Sequence, residues 1–167
     1  ALEIGSAPGG ASYALLERGL KVVGIDPAEM APAILKFAQQ LGSKFEARFK
    51  HLAKPAALVG SHDLPKRIEW ILLDMNVAPV ISLNTVERIA PTNSRIMISG
   101  PSGAGKELVA RVIHDASGRA GGPFVVLNAA AITPDRTEHE LFGTEPMNGA
   151  ARKVGALEEA HGGTLYL

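Results

Sequence analysis

Cysteine is absent from the 167 residues. That removes disulfides, thiolate metal sites, cysteine nucleophiles and iron–sulfur clusters together. Histidine is sparse, and His51, His62, His114, His139 and His161 show no H-x-x-x-H or comparable spacing. No metal site is expected from them. A charge excess of either sign is missing too: Lys plus Arg is 17, Asp plus Glu is 17, and the formal net charge is +0. A nucleic-acid coat or a polybasic membrane binder needs surplus cations, so neither is expected as a partner class. No apolar run approaches the ~18 residues that span a bilayer. No charged-then-apolar leader opens the chain, and a cytoplasmic protein is expected. An initiator methionine is lacking as well. The chain begins inside Ala1-Leu2-Glu3-Ile4 and ends inside Thr164-Leu165-Tyr166-Leu167, so both ends are expected to be cut.

What is present suits a folded domain. Hydrophobic residues make up 46%, enough for a core, and the 18 Gly and 11 Pro stay below low-complexity levels. At roughly 100–200 residues per domain, one compact domain over 1–167 is expected. Apolar runs of strand length alternate with segments of helical period. Strands are expected at Ala1–Ile4, Lys21–Ile25, Lys44–Phe49, Glu69–Met75, Arg95–Ser99, Pro123–Leu127 and Thr164–Leu167. Helices are expected over Ala11–Arg18, through Met30, Ile34, Phe37, Ala38 and Leu41, and over Lys54–Val59 and Val80–Ile89. A further helix buries Leu108, Val109, Val112, Ile113 and Ala116, and short ones cover Glu138–Phe142 and Gly155–Ala160. Strands separated by helices imply β-α-β units, a mostly parallel sheet and a three-layer α/β/α Rossmann-like sandwich.

Two glycine-rich turns follow strands and precede helices. In the first, Gly5-Ser6-Ala7-Pro8-Gly9-Gly10, free backbone N–H groups allow close approach of a ligand. Asp26, about 20 residues on, ends the next strand where an acid can accept from ribose hydroxyls. A turn that only packs helix on strand is the alternative. Glu3-Ile4-Gly5-Ser6-Ala7-Pro8-Gly9-Gly10, Asp26 and Leu73-Asp74-Met75 together resemble motifs of the FtsJ-like S-adenosylmethionine-dependent ribosomal RNA 2′-O-methyltransferases. The resemblance covers about residues 1–83. It implies a site for S-adenosylmethionine or S-adenosylhomocysteine at Glu3, Gly5, Pro8, Gly9, Gly10, Asp26 and Asp74. The lysines and glutamate that would complete its catalytic set with Asp74 have no recognisable counterparts.

The second turn, Gly100-Pro101-Ser102-Gly103-Ala104-Gly105-Lys106-Glu107, fits G-x-x-x-x-G-K and departs where Ser or Thr is usual. Its glycines let successive N–H groups cradle phosphate oxygens, and the lysine adds a mobile positive charge. A nucleophile elbow is excluded because Ala104 stands where G-x-S-x-G needs glycine. With Leu108-Val109-Ala110-Arg111-Val112-Ile113-His114, Gly122–Asn128, Glu140-Leu141-Phe142-Gly143 and Leu157–Leu167, this turn resembles the AAA+ domain of NtrC/NtrX-type transcription activators. That resemblance covers about 84–167. It implies ATP, ADP or a phosphate or sulfate anion at Gly100, Gly103, Gly105, Lys106 and Glu107. The family's Mg²⁺-holding Asp-Glu would follow Leu167, and Glu145–Ala150 occupies the place of its GAFTGA loop. Neither methyl transfer nor ATP hydrolysis is therefore expected.

Together the resemblances suggest a chimera joined near Ser82–Thr85, a non-catalytic scaffold that keeps a nucleotide-type ligand. An RNA methyltransferase and a fragment of an ATP-binding sigma-54-dependent regulator are the alternatives. The implied strand order is 3-2-1-4-5-7-6, with the exposed strand edge inviting a homodimer. Lys44, Arg48, Lys50, His51 and Lys54 are expected to be a solvated surface. Phe45 and Phe49 alone make no stacking platform for nucleic acid.

Overall fold

The computed structural model of the chain describes residues 1–41, 48–74, 90–145 and 151–167. They form two compact units, Ala1–Lys106 and Glu107–Leu167. In the first, β1 (Leu2–Ile4), β2 (Val22–Ile25), β3 (Phe49–Leu52), β4 (Trp70–Asp74) and β5 (Arg95–Ser99) make one sheet ordered β3-β2-β1-β4-β5. Every pairing in it is parallel. This mostly parallel α/β arrangement is the Rossmann-like class expected from the alternating pattern.

β1 is interior. Leu2, Glu3 and Ile4 face Val23, Gly24 and Ile25 on one side and Ile71, Leu72 and Leu73 on the other. All three are buried, as an interior parallel strand requires. α1 (Gly10–Glu17) stops in a glycine cap. Gly19 takes φ +78°, its N–H donates to Leu16 O, and the Leu20 N–H donates to Leu15 O. Those two bonds satisfy carbonyls that the helix end would leave open. α2 (Pro32–Gln40) starts with proline at its first position, where no N–H is needed. Leu16, Val22, Met30, Ile34 and Phe49 form a core cluster, with Phe37 and Leu41 packed against it.

The second unit holds α3 (Lys106–Asp115) after its first residue, β6 (Phe124–Val126), α4 (Pro134–Phe142), β7 (Gly143–Thr144), β8 (Lys153–Val154), α5 (Ala156–Glu159) and β9 (Thr164–Tyr166). β6 and β9 pair in parallel, whereas β7 and β8 form a short antiparallel ribbon. His114, 5% exposed, bridges its elements: Nδ1 lies 2.9 Å from Thr164 Oγ1, and the ring meets Phe124 edge-on at 5.3 Å.

Several expectations need correction. Strand order 3-2-1-4-5 holds, but the last two strands, though neighbours, form a two-stranded sheet of their own. β5 alternates exposed and half-buried side chains, the profile of an edge rather than an interior strand. The third strand is described over Phe49–Leu52, where pairing with β2 buries Phe49 and Leu52; of the expected Lys44–Phe49, 44–47 lie outside the described residues. Pro55 reduces the helix expected over Lys54–Val59 to a 3-10 turn at Ala56–Leu58. On α3, Leu108 is 67% exposed, and Ala110 and His114 take buried positions instead. The helix over 80–89, the join near 82–85, Lys44, Phe45, Met75 and 146–150 lie outside the described residues. No helix among the described residues is long and apolar enough to cross a membrane.

Gly24 marks the tightest packing around β1. A Cβ there would lie 2.8 Å from Ser6 Oγ and 3.0 Å from Ser6 Cβ, and Ser6 is 1% exposed. Gly24→Ala is expected to destabilise the chain by about 1–3 kcal/mol in chemical denaturation.

Candidate functional site

Parallel strands place their carboxyl ends, and the turns that follow them, on one edge of the sheet. The first glycine turn leaves β1 there. Its Gly5 N–H donates to Ile25 O at 3.0 Å. Asp26, just past β2, holds the turn through its carboxylate: Oδ2 accepts from the Ala7 N–H at 3.1 Å, and Oδ1 accepts from the Ala28 N–H at 2.8 Å. His51 Nε2 lies 3.1 Å from the Asp26 carbonyl. Gly9 is buried, and a Cβ on it would press on Ile34 and Met30 at 2.6 and 2.7 Å. Pro8 and Gly10 are exposed.

Glu3 is 5% exposed within β1 and accepts a hydrogen bond from the Ser12 hydroxyl of α1. Burial pushes its carboxyl up to about 7, against the Ser12 bond and with help from the charges of Asp74 and Asp26. The structure thus gathers Glu3, Gly5, Pro8, Gly9, Gly10 and Asp26 at one corner, and Asp74 ends the adjacent β4. Ser12 and His51 are the partners that sequence reasoning missed. Ser12 lies nine residues from Glu3 on a different element, and no local spacing announces the bond.

The second turn joins β5 to α3. Gly103 and Gly105 take φ +78° and +77°, left-handed backbone that disfavours side chains, and a Cβ on either would meet nothing within 4 Å. Conformation, not crowding, requires glycine at both places. Lys106 folds back across the turn, its Nζ donating to Gly100 O at 3.0 Å and Pro101 O at 2.8 Å. Those acceptors are neutral carbonyls, which bring no opposite charge to the ammonium. Glu107 is exposed, and its Oε1 accepts from Arg111 Nε at 3.2 Å and from Arg111 Nη2 at 2.8 Å. Their four-residue spacing on the helix brings the two side chains together. Among the described residues no cluster of three or more His, Asp or Glu is arranged to hold a metal.

A strand, a left-handed glycine turn, a lysine over the turn and a helix define a phosphate-loop α/β protein. The family model of the Sigma-54 interaction domain matches residues 75–167, and the chain belongs to that family. The nitrogen assimilation regulatory protein NtrX of Azorhizobium caulinodans is 71% identical over 83 residues, 50% of this chain and 18% of the relative. The Sigma54-dependent transcriptional activator SfnR of Pseudomonas putida is 49% identical over 85 residues, 49% of this chain and 23% of the relative. A crystal structure of NtrX from Brucella abortus aligns with 99% of this chain and 34% of that chain, at 44% identity and a TM-score of 0.51. The chain thus spans between 18% and 23% of these two curated relatives.

None of these proteins is named as a methyltransferase. They lend no support to a methyltransferase portion, a chimera or an S-adenosylmethionine site, and the fragment reading of a sigma-54-type regulator fits better. The physical reason lies in the motif. A glycine turn after a strand, with an acid ending the next strand, is common to nucleotide-binding β-α-β units and does not specify their chemistry.

Glu3 binds its proton more tightly folded than unfolded, since its pKa rises from 4.5 to about 7. It contributes stability that is complete below pH 4.5 and is lost as the pH rises through about 7. Glu3→Gln is expected to flatten that dependence and to stabilise the chain at pH 8 by on the order of 2 kcal/mol, read by urea denaturation across pH.

Proposed function

We propose that the chain is the phosphate-loop portion of an NtrX-type sigma-54-dependent regulator, holding the polyphosphate of ATP or ADP at Gly100, Gly103, Gly105 and Lys106. The observation that supports this best is Lys106, whose ammonium lies across the turn on Gly100 O and Pro101 O in a chain of the Sigma-54 interaction domain family. Backbone N–H groups of the turn would surround the phosphate, and α3 adds the positive end of its dipole. Lys106 would exchange two neutral carbonyls for charged oxygens, a stronger set of bonds. Glu107 stands beside that anion, and its pairing with Arg111 offsets a charge that would otherwise repel the phosphate. In the whole protein this binding would serve transcriptional regulation, the role carried in the name of SfnR.

Calorimetry on the 167-residue chain is expected to show ATP and ADP binding that weakens by about tenfold or more in Lys106→Ala, with Lys106→Arg intermediate. Equal affinity in Lys106→Ala would reject the reading.

A further inference from the structure

Asp74 closes β4, and its Cα pairs with that of Ser99, the last residue of β5. Gly100, the first glycine of the phosphate loop, follows directly, and its carbonyl accepts from Lys106 Nζ at 3.0 Å. The parallel register thus sets a carboxylate level with the entry of the loop, on the strand beside it. Ser99 Oγ donates to Leu73 O at 3.4 Å, which turns the hydroxyl toward β4. All of these residues belong to the first compact unit.

Asp74 is half-buried, and its negative charge is felt at Glu3, whose strand position lies on the same face two residues back. A polyphosphate on Gly100–Lys106 would bring more negative charge to this edge, with Lys106 as the one cation of the loop. A divalent cation removes that conflict. The donors present suit Mg²⁺: a carboxylate and a hydroxyl are hard oxygen ligands, and Mg²⁺ commonly takes one or two carboxylates together with phosphate oxygens and water. Among the described residues no cluster of three or more His, Asp or Glu forms a cage of its own. Phosphate oxygens must therefore complete the set, and cation and nucleotide would bind together.

We propose that Asp74 supplies the protein carboxylate for a Mg²⁺ ion shared with the polyphosphate on Gly100–Lys106, with Ser99 as the adjoining oxygen donor. This role rests on nucleotide binding at the second turn and adds to it a cation requirement and the residue that creates it. The ion offsets the repulsion between carboxylate and phosphates.

The test is calorimetry of ADP with the unaltered 167-residue chain, once with Mg²⁺ in excess and once with EDTA. Mg²⁺ is expected to tighten binding about tenfold. In Asp74→Asn that gain should fall to about twofold or less. Affinity in EDTA should rise in the same variant, because a charge near the phosphates is gone. Mn²⁺ in place of Mg²⁺, added with ADP to the unaltered chain, is expected to broaden the amide signals of Leu73, Asp74, Ser99 and Gly100 most strongly. An undiminished Mg²⁺ gain in Asp74→Asn, equal affinity with Mg²⁺ and with EDTA, or broadening centred on Gly5 and Asp26 overturns the proposal and leaves nucleotide binding at Lys106 standing. No ADP binding in either buffer overturns both. The Mn²⁺ map uses the unaltered chain, so it decides the matter even if Asp74→Asn fails to fold.

Discussion

The backbone ladders on the two sides of β1, to β2 and to β4, are the constraint on which the first unit depends. Both are parallel, so the strands of that sheet release their following turns at one edge and receive their preceding turns at the other. The consequence is a separation of charge. Glu3, Asp26 and Asp74 lie toward the carboxyl edge, and the first two are tied to the glycine turn and the helix behind it. Lys21, Arg48, Lys50 and Arg67 lie toward the opposite edge. A formal net charge of zero hides this polarity, because composition counts charges without placing them.

The two glycine turns share an edge and differ in how much of their chemistry is already used. In the first, the carboxylate of Asp26 takes backbone donors from Ala7 and Ala28, and Glu3 is engaged with Ser12. Gly9 there is pressed against Met30 and Ile34. This turn binds itself, which is what a packing role requires. In the second, Gly103 and Gly105 face open space, and the one strong group, Lys106, rests on neutral carbonyls. On the proposed reading an anion would displace those carbonyls at small cost, since a charge-assisted bond replaces a weaker one. The contrast agrees with the family match, which covers the second turn and begins after the first.

Within the second unit, packing is organised around Phe124. The His114 ring meets it edge-on, the Tyr166 ring stacks on it at 6.2 Å, and the Arg111 guanidinium lies 4.5 Å from its centre. Arg111 also holds Glu107, so one side chain ties the start of α3 to β6. Glu140 links α4 to the ribbon by accepting from both Arg136 and Lys153, which lowers its carboxyl pKa, the Lys153 bond being the larger cause. These exposed pairs are worth little singly and serve mainly to orient short elements.

The sequence by itself determined the α/β class and the strand–turn–helix setting of both glycine turns, with the lysine that closes the second. Those features are local: an apolar run, a left-handed glycine and a lysine at fixed spacing act within a few residues. The buried face of α2 was legible for the same reason, through Ile34 and Ala38, although Met30, expected on that face, precedes the helix. Where β3 starts, which face of α3 is covered, and that β6 and β9 form a sheet of their own were not legible, because each depends on a partner distant in the chain. The Glu3–Ser12 bond and the His114–Thr164 contact belong to the same class. Only the tertiary structure decided them, since hydrogen-bond register and burial are set by what packs alongside and not by the residue's own neighbours.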